Sequence, residues 1–137
     1  MAAKLNPYLN FRGTTREAME FYKAAFGGTL NVSTYKEFNA SQDPSEDEKI
    51  MHGILTTDNG LVFMAADTPN GMEYREGSRI TMSLSGDDED TLRGYFQKLK
   101  AGGMEMMPLE KAPWGDYFGM LTDRFGTAWA INGEVTI

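Results

Sequence analysis

The chain has one histidine and no cysteine. Imidazole chemistry must therefore run through His52, and disulfides, thiolate catalysis and cysteine metal sites are excluded. An imidazole titrates near neutral pH and can serve as a general base, a proton carrier or a metal ligand. Glu46, Asp47 and Glu48 lie just before it and could complete a metal cluster on paper. They belong to the polar run NASQDPSEDEK, which reads more simply as a solvated, mobile loop. His52 itself, in the stretch IMHGIL, reads first as a partly buried strand residue with a hydrogen-bonded ring. The functional alternative is a weak catalytic candidate or a polar pocket contact.

The second dense stretch is WGDYFGMLTDRFGTAWAI, residues 114–131. Trp114 and Tyr117 are large enough to cover a ligand, and Asp116 could bond one, because pockets combine aromatic walls with a few polar groups. The competing roles are a core-closing indole and an aspartate serving the Gly115 turn. Asp123–Arg124–Phe125–Gly126 is turn chemistry, with glycine where φ turns positive. Trp129 alternates with Thr127 and Ile131 and is expected to pack against a helix.

These residues need elements to position them. Leu5–Phe11 reads as a strand with Leu9 and Phe11 on one face and Asn6, Tyr8 and Asn10 on the other. A helix follows in TTREAMEFYKAAFGG, with Thr14 as N-cap and Glu17 completing a capping box. Its apolar face is Ala18, Phe21, Tyr22 and Ala25, and Gly27 and Gly28 stop it. Strands follow at 29–38, 50–57 and, after an Asp58–Asn59–Gly60 turn, 61–65. The order then repeats. Arg79–Ser85 alternates, with Thr81, Ser83 and Ser85 opposite Ile80, Met82 and Leu84. The acidic GDDEDT opens a helix, where negative charge suits the dipole. Leu92, Tyr95, Phe96 and Leu99 form its apolar face, and Gly102 and Gly103 end it. Strands follow at 104–109, 117–121 and 127–132. Gly28 and Gly102 lie 74 positions apart, and GLVFM (60–64) matches GTAWA (126–130). The fold class is α+β: β-α-β-β-β, twice. Each unit is too small to bury a good core alone.

Of 137 residues, 41% are hydrophobic and 24% charged, which places the chain among soluble globular proteins. A net charge of −7 argues against nonspecific nucleic-acid binding, which depends on Lys and Arg neutralising phosphates, and permits a cationic ligand. The N-terminal residues lack a signal-length apolar core, and no run approaches a membrane span, so a cytoplasmic location is the expectation. Ten methionines suit irregular cores or adaptable binding surfaces.

PYLNFRG, AMEFYKAAFGG, IMHGIL and WGDYFGMLTDRFGTAW occur here in the order found in the PhnB-like branch of the vicinal oxygen chelate superfamily (glyoxalase I, bleomycin-resistance proteins and extradiol dioxygenases). The resemblance covers essentially the whole chain. It implies a single glyoxalase-like domain, 1–137, whose modules form a curved mixed sheet around a cavity. Module 1 spans about 4–67, a linker about 68–78 and module 2 about 79–134. It further implies a homodimer. Some relatives are also called ubiquinone-pathway methyltransferases, but Gly27–Gly28 ends a helix here, whereas a nucleotide-like cofactor is held by glycines that open one.

Metal-dependent members take His, Glu or Gln ligands from the first and last strands of each unit. The corresponding positions here are Asn6, Tyr8 and Asn10, then Arg79, Thr81 and Ser83, with Met64 and Ala130 on the last strands. None is a histidine or carboxylate, and a thioether is a soft donor, so no metal and no cofactor are expected. The cavity set becomes Asn6, Tyr8, Asn10, His52, Met64, Thr81, Ser83, Trp114, Asp116, Tyr117 and Ala130. Its polar groups need bonding partners if buried, which suits a small polar ligand. The reading is a metal-independent small-molecule-binding protein that dimerises and engages neither nucleic acid nor membrane. The alternative is a lyase or isomerase using His52 as base, or a metal held by relocated ligands such as His52 and Glu37.

Overall fold

The computed structural model describes residues 5–39, 42–74, 77, 80–113 and 115–133. The chain divides into two compact units, residues 1–75 and 76–137. The first holds β1 (Tyr8–Phe11), α1 (Thr15–Phe26), β2 (Thr29–Thr34), a 3-10 turn (Pro44–Glu46), β3 (Ile50–Thr56) and β4 (Val62–Asp67). The second holds β5 (Met82–Gly86), α2 (Glu89–Lys100), β6 (Met104–Lys111), β7 (Tyr117–Thr122) and β8 (Ala128–Gly133). The sheets are ordered β1-β4-β3-β2 and β5-β8-β7-β6. In each, the first strand pairs parallel with the last, and the remaining pairs are antiparallel. The doubled β-α-β-β-β order is therefore present in topology as well as in sequence, as two mixed four-stranded sheets of an α+β fold.

In the first unit α1 covers one face of its sheet. Ala18, Met19, Tyr22, Ala25 and Phe26 are buried at helical spacing. Phe63 of β4 receives Tyr22 and Phe26 edge-on, with ring centroids 5.5 and 6.0 Å away. Each such buried ring contributes about 1.5–3 kcal/mol through burial. Phe21 is only half-buried, and Met19 takes the interior place the periodicity had given it.

The start of α1 departs from the expected capping box. Thr14 makes no side-chain cap bond. Asp67, at the end of β4, supplies the cap instead: its Oδ1 accepts from the amides of Gly13 and Thr15 at 2.9 and 3.1 Å and from the Thr15 hydroxyl at 2.7 Å. Its Oδ2 accepts from the Ile50 amide at 2.9 Å. One buried carboxylate thus fixes the helix to two strands. In the second unit Asp88 caps α2 in the ordinary way, accepting from the amide and hydroxyl of Thr91. Those bonds hold the Asp88 carboxyl below the usual range.

The glycine pairs end both helices, but the structural match is Gly27 with Gly102 (φ 74° and 76°) and Gly28 with Gly103. The offset is therefore one residue longer than the pairing of Gly28 with Gly102. A Cβ on Gly28 would lie 2.6 Å from Thr57 Cα, and one on Gly103 would lie 2.9 Å from Asp123 Cα. Each glycine lets the chain pass close beneath the turn that joins its unit's last two strands.

Two other expectations change. β5 begins at Met82, leaving Ile80 83% exposed and Thr81 ahead of the strand. Arg79, the expected start, lies outside the described residues. The acidic run is not simply solvated: Glu46 is buried, and its Oε2 accepts from the Asn70 amide at 3.1 Å. Asn70 also accepts from Lys49 Nζ and donates to Asp43, tying this loop to the segment after β4. Among the described residues no helix is long and apolar enough to cross a membrane.

Candidate functional site

Strand parity sorts each sheet into a face under the helix and a face free of it. In the first unit Phe63 and Ala65 point to α1, so Met64 points away. One register row on the free face runs Asn31, Ile54, Met64, Tyr8 across β2, β3, β4 and β1. In the neighbouring row Ser33 stands beside His52, and Asn10 beside Ala66. Tyr8, Asn10, His52 and Met64 thus share one face. Asn6 precedes β1 and is half-buried. His52 and Met64 meet diagonally: imidazole Nε2 lies 3.4 Å from the thioether sulfur. The Tyr8 ring is tilted against the imidazole, with centroids 5.9 Å apart.

The other side of β3 and β4 is tightly bonded. The Tyr35 hydroxyl donates to the Asp67 carbonyl at 2.9 Å. Burial, reinforced by the carboxylates of Glu46 and Asp67, pushes its phenol above the usual range. Neutral Tyr35 therefore acts here as a structural donor.

In the second unit the corresponding row is Met107, Met120, Ala130, Ser83, and the next is Glu110, Phe118, Asn132, Ser85. Phe118 occupies the position that His52 holds in the first unit, and Ala130 that of Met64. A recess of about 270 Å³ opens along this unit's edge strand, lined by Met106, Met107, Glu110, Lys111, Pro113 and Phe118.

Tyr117 does not belong to this face. A Cβ on Gly119 would meet Phe96 of α2 at 3.0 Å, so Gly119 and, two residues earlier, Tyr117 point toward the helix. The Arg93 guanidinium of α2 lies 5.2 Å from the Tyr117 ring centroid. Phe118 faces the free side instead. Asp116 is half-buried in the loop before β7, and its carbonyl accepts from the Ala112 amide at 2.6 Å. Trp114 lies outside the described residues. Trp129 is buried on the helix side, and its indole N–H donates to Asp123 Oδ2 at 2.9 Å. Asp123 also accepts from the amides of Phe125 and Thr127, as turn chemistry requires.

Among the positions that the resemblance singled out for a metal, Tyr8 with Met64 and Ser83 with Ala130 are register partners. Within each unit by itself, neither a phenol with a thioether nor a hydroxyl with a methyl offers the carboxylate oxygens that a hard divalent ion prefers. Glu37 sits in the exposed turn after β2. Among the described residues no group of three or more His, Cys, Asp and Glu is placed to hold a metal ion.

The solved structure of protein PA1353 from Pseudomonas aeruginosa superposes with a TM-score of 0.82 at 35% identity, over 98% of this chain and all of that one. The structure of a putative 3-demethylubiquinone-9 3-methyltransferase, PhnB protein, from Bacillus cereus superposes at 0.75 and 26% identity, over 96% and 100%. Protein YjdN of Escherichia coli (strain K12) is 27% identical over 139 residues, 93% of each chain. The family model described as Glyoxalase/Bleomycin resistance protein/Dioxygenase superfamily matches residues 4–131, and the chain belongs to that superfamily.

Proposed function

We propose that this chain is a PhnB-like binding protein that holds a small polar molecule on the helix-free face of its first sheet, without the divalent metal of the superfamily's metal-dependent enzymes. The observation that carries this reading is the convergence of Tyr8, Asn10, His52 and Met64 on one face, with Asn31 and Ser33 beside them. These side chains offer amide, hydroxyl and imidazole groups next to an aromatic ring and a thioether. That mixture orients a small ligand by a few bonds and covers it with apolar surface. The functional form is a homodimer in the cytoplasm.

The test is a thermal-shift screen of the full chain against metabolites and antibiotics, since a true ligand raises the melting temperature by mass action. Asn10→Ala and His52→Ala should each weaken a hit about tenfold or more. A panel without hits, or hits indifferent to both substitutions, would count against the reading. Turnover of a hit that disappears in His52→Ala would move the protein to the lyases or isomerases. Light scattering at one chain mass would remove the homodimer.

A further inference from the structure

The donors that fail a hard divalent ion suit another kind of cation. His52 Nε2 and Met64 Sδ stand 3.4 Å apart on the helix-free face of the first sheet. Both side chains are half-buried, so solvent reaches them while paired strands hold their backbones. Neither has another hydrogen-bond partner among the described residues. Imidazole and thioether together form a soft, uncharged donor pair, the kind that selects copper(I) over magnesium, calcium or manganese.

We propose that His52 and Met64 jointly bind one soft monovalent cation, copper(I) or silver(I). Bonds to nitrogen and sulfur of about 2.0 and 2.3 Å, as at zinc, span donors 3.4 Å apart at an angle of roughly 100°. Opening toward a linear arrangement needs less than about 1 Å of further separation, within reach of a methionine with three rotatable bonds. Tyr8 stands opposite Met64 in the register, and its ring lies against the imidazole. Its π face adds attraction for a cation held there. The net charge of −7 raises the local concentration of any cation. The equivalent positions in the second unit are Phe118 and Ala130, which offer no donor, so the chain carries one such imidazole–thioether site.

The inference does not depend on the small-molecule reading, which is measured with organic ligands. The probe is silver(I) nitrate titrated into the full chain in chloride-free buffer. The readout is the imidazole nitrogen resonances by proton–nitrogen NMR. His52 is the only histidine, so its signal is unambiguous. The expected result is a saturable shift of Nε2 complete near one equivalent, reproduced by copper(I) under reductant. Zinc(II) should bind at least about tenfold more weakly. Met64→Leu, which keeps volume and removes sulfur, should weaken the silver response about tenfold or more with an unchanged melting temperature. His52→Gln, followed by calorimetry, should do the same. The exposed methionines Met72, Met104, Met106 and Met107 can take up silver without moving the His52 signal. An unmoved His52 resonance at one equivalent, or a Met64→Leu titration that matches wild type, overturns the proposal.

Discussion

The hydroxyl of Thr15 donates to the carboxylate of Asp67 at 2.7 Å across 52 positions of sequence. Thr15 is fully buried and Asp67 is 3% exposed, so this contact and its companions replace a solvent-facing cap with an interior one. Asp67→Ala would leave the amides of Thr15 and Ile50 without this acceptor, and water cannot easily replace it. Each unsatisfied buried donor costs about 1–3 kcal/mol, so the loss should be about 3 kcal/mol or more by urea denaturation. Asp67→Asn keeps one acceptor oxygen but sets an amide donor against the Ile50 N–H, and should fall between. A cost below about 1 kcal/mol for the alanine variant would show that the helix start does not need this carboxylate.

Tyr35 gives the first sheet a defined alkaline limit. Burial, then the nearby carboxylates of Glu46 and Asp67, raise its phenol above the usual value. The neutral form is favoured in the folded state, whereas the unfolded side chain ionises near pH 10. The contribution to stability is therefore complete below about pH 10 and is lost as pH rises through the higher folded value. Urea midpoints measured from pH 8 to 11.5 should fall more steeply for wild type than for Tyr35→Phe. Parallel slopes in the two proteins would rule out this linkage.

Local patterns made much of the architecture legible. Period-two strands, period-3.6 helices and paired glycine stops are short-range signals, and they yielded the doubled β-α-β-β-β order. Parity also groups Asn6, Tyr8 and Asn10 on one side of the first strand, whereas Met64 joins them only through the family resemblance. The Asp67 cap was not legible, because a residue 52 positions away carries no local mark of what it will bond. Glu46 looked like one more charge in an acidic run, since its partner is the distant Asn70 amide. From sequence, Tyr117 is an aromatic able to cover a ligand and its sheet face is left open, although a signal for the face exists. Aligning the strand glycines Gly53 and Gly119 makes Phe118, not Tyr117, the counterpart of His52.

Asp123 organises the last turn and the core at once. It accepts from the amides of Phe125 and Thr127 and from the Trp129 indole. Asp123→Ala should cost about 2 kcal/mol or more through the lost charge-assisted bonds. The indole should also report it. In a Trp114→Phe background one tryptophan remains, and its emission should shift to longer wavelength if the turn opens. Trp129→Phe keeps an aromatic side chain but removes the indole N–H that donates to Asp123 Oδ2, and should cost less than the loss of the whole carboxylate. Equal melting temperatures for Asp123→Ala and wild type would contradict the role of this turn.

Gly28 is the position where backbone space, not side-chain chemistry, sets the limit. Its φ is +111°, a region that L side chains rarely adopt, and an added Cβ would lie 2.6 Å from Thr57 Cα. The obstruction is main chain at the β3–β4 turn, so no flexible tip can move aside. Gly28→Ala therefore combines conformational strain of about 1–3 kcal/mol with displacement of that turn. Gly60 provides the control. It too has a positive φ, +87°, but an added Cβ there meets nothing within 4 Å. Gly60→Ala should then show the strain alone, and the difference between the two variants isolates the close approach. Thermal and urea denaturation should place Gly28→Ala at least about 1 kcal/mol below Gly60→Ala. If the two are equally destabilised, the passage of α1's exit beneath the Thr57 turn is not the constraint that reserves this position for glycine.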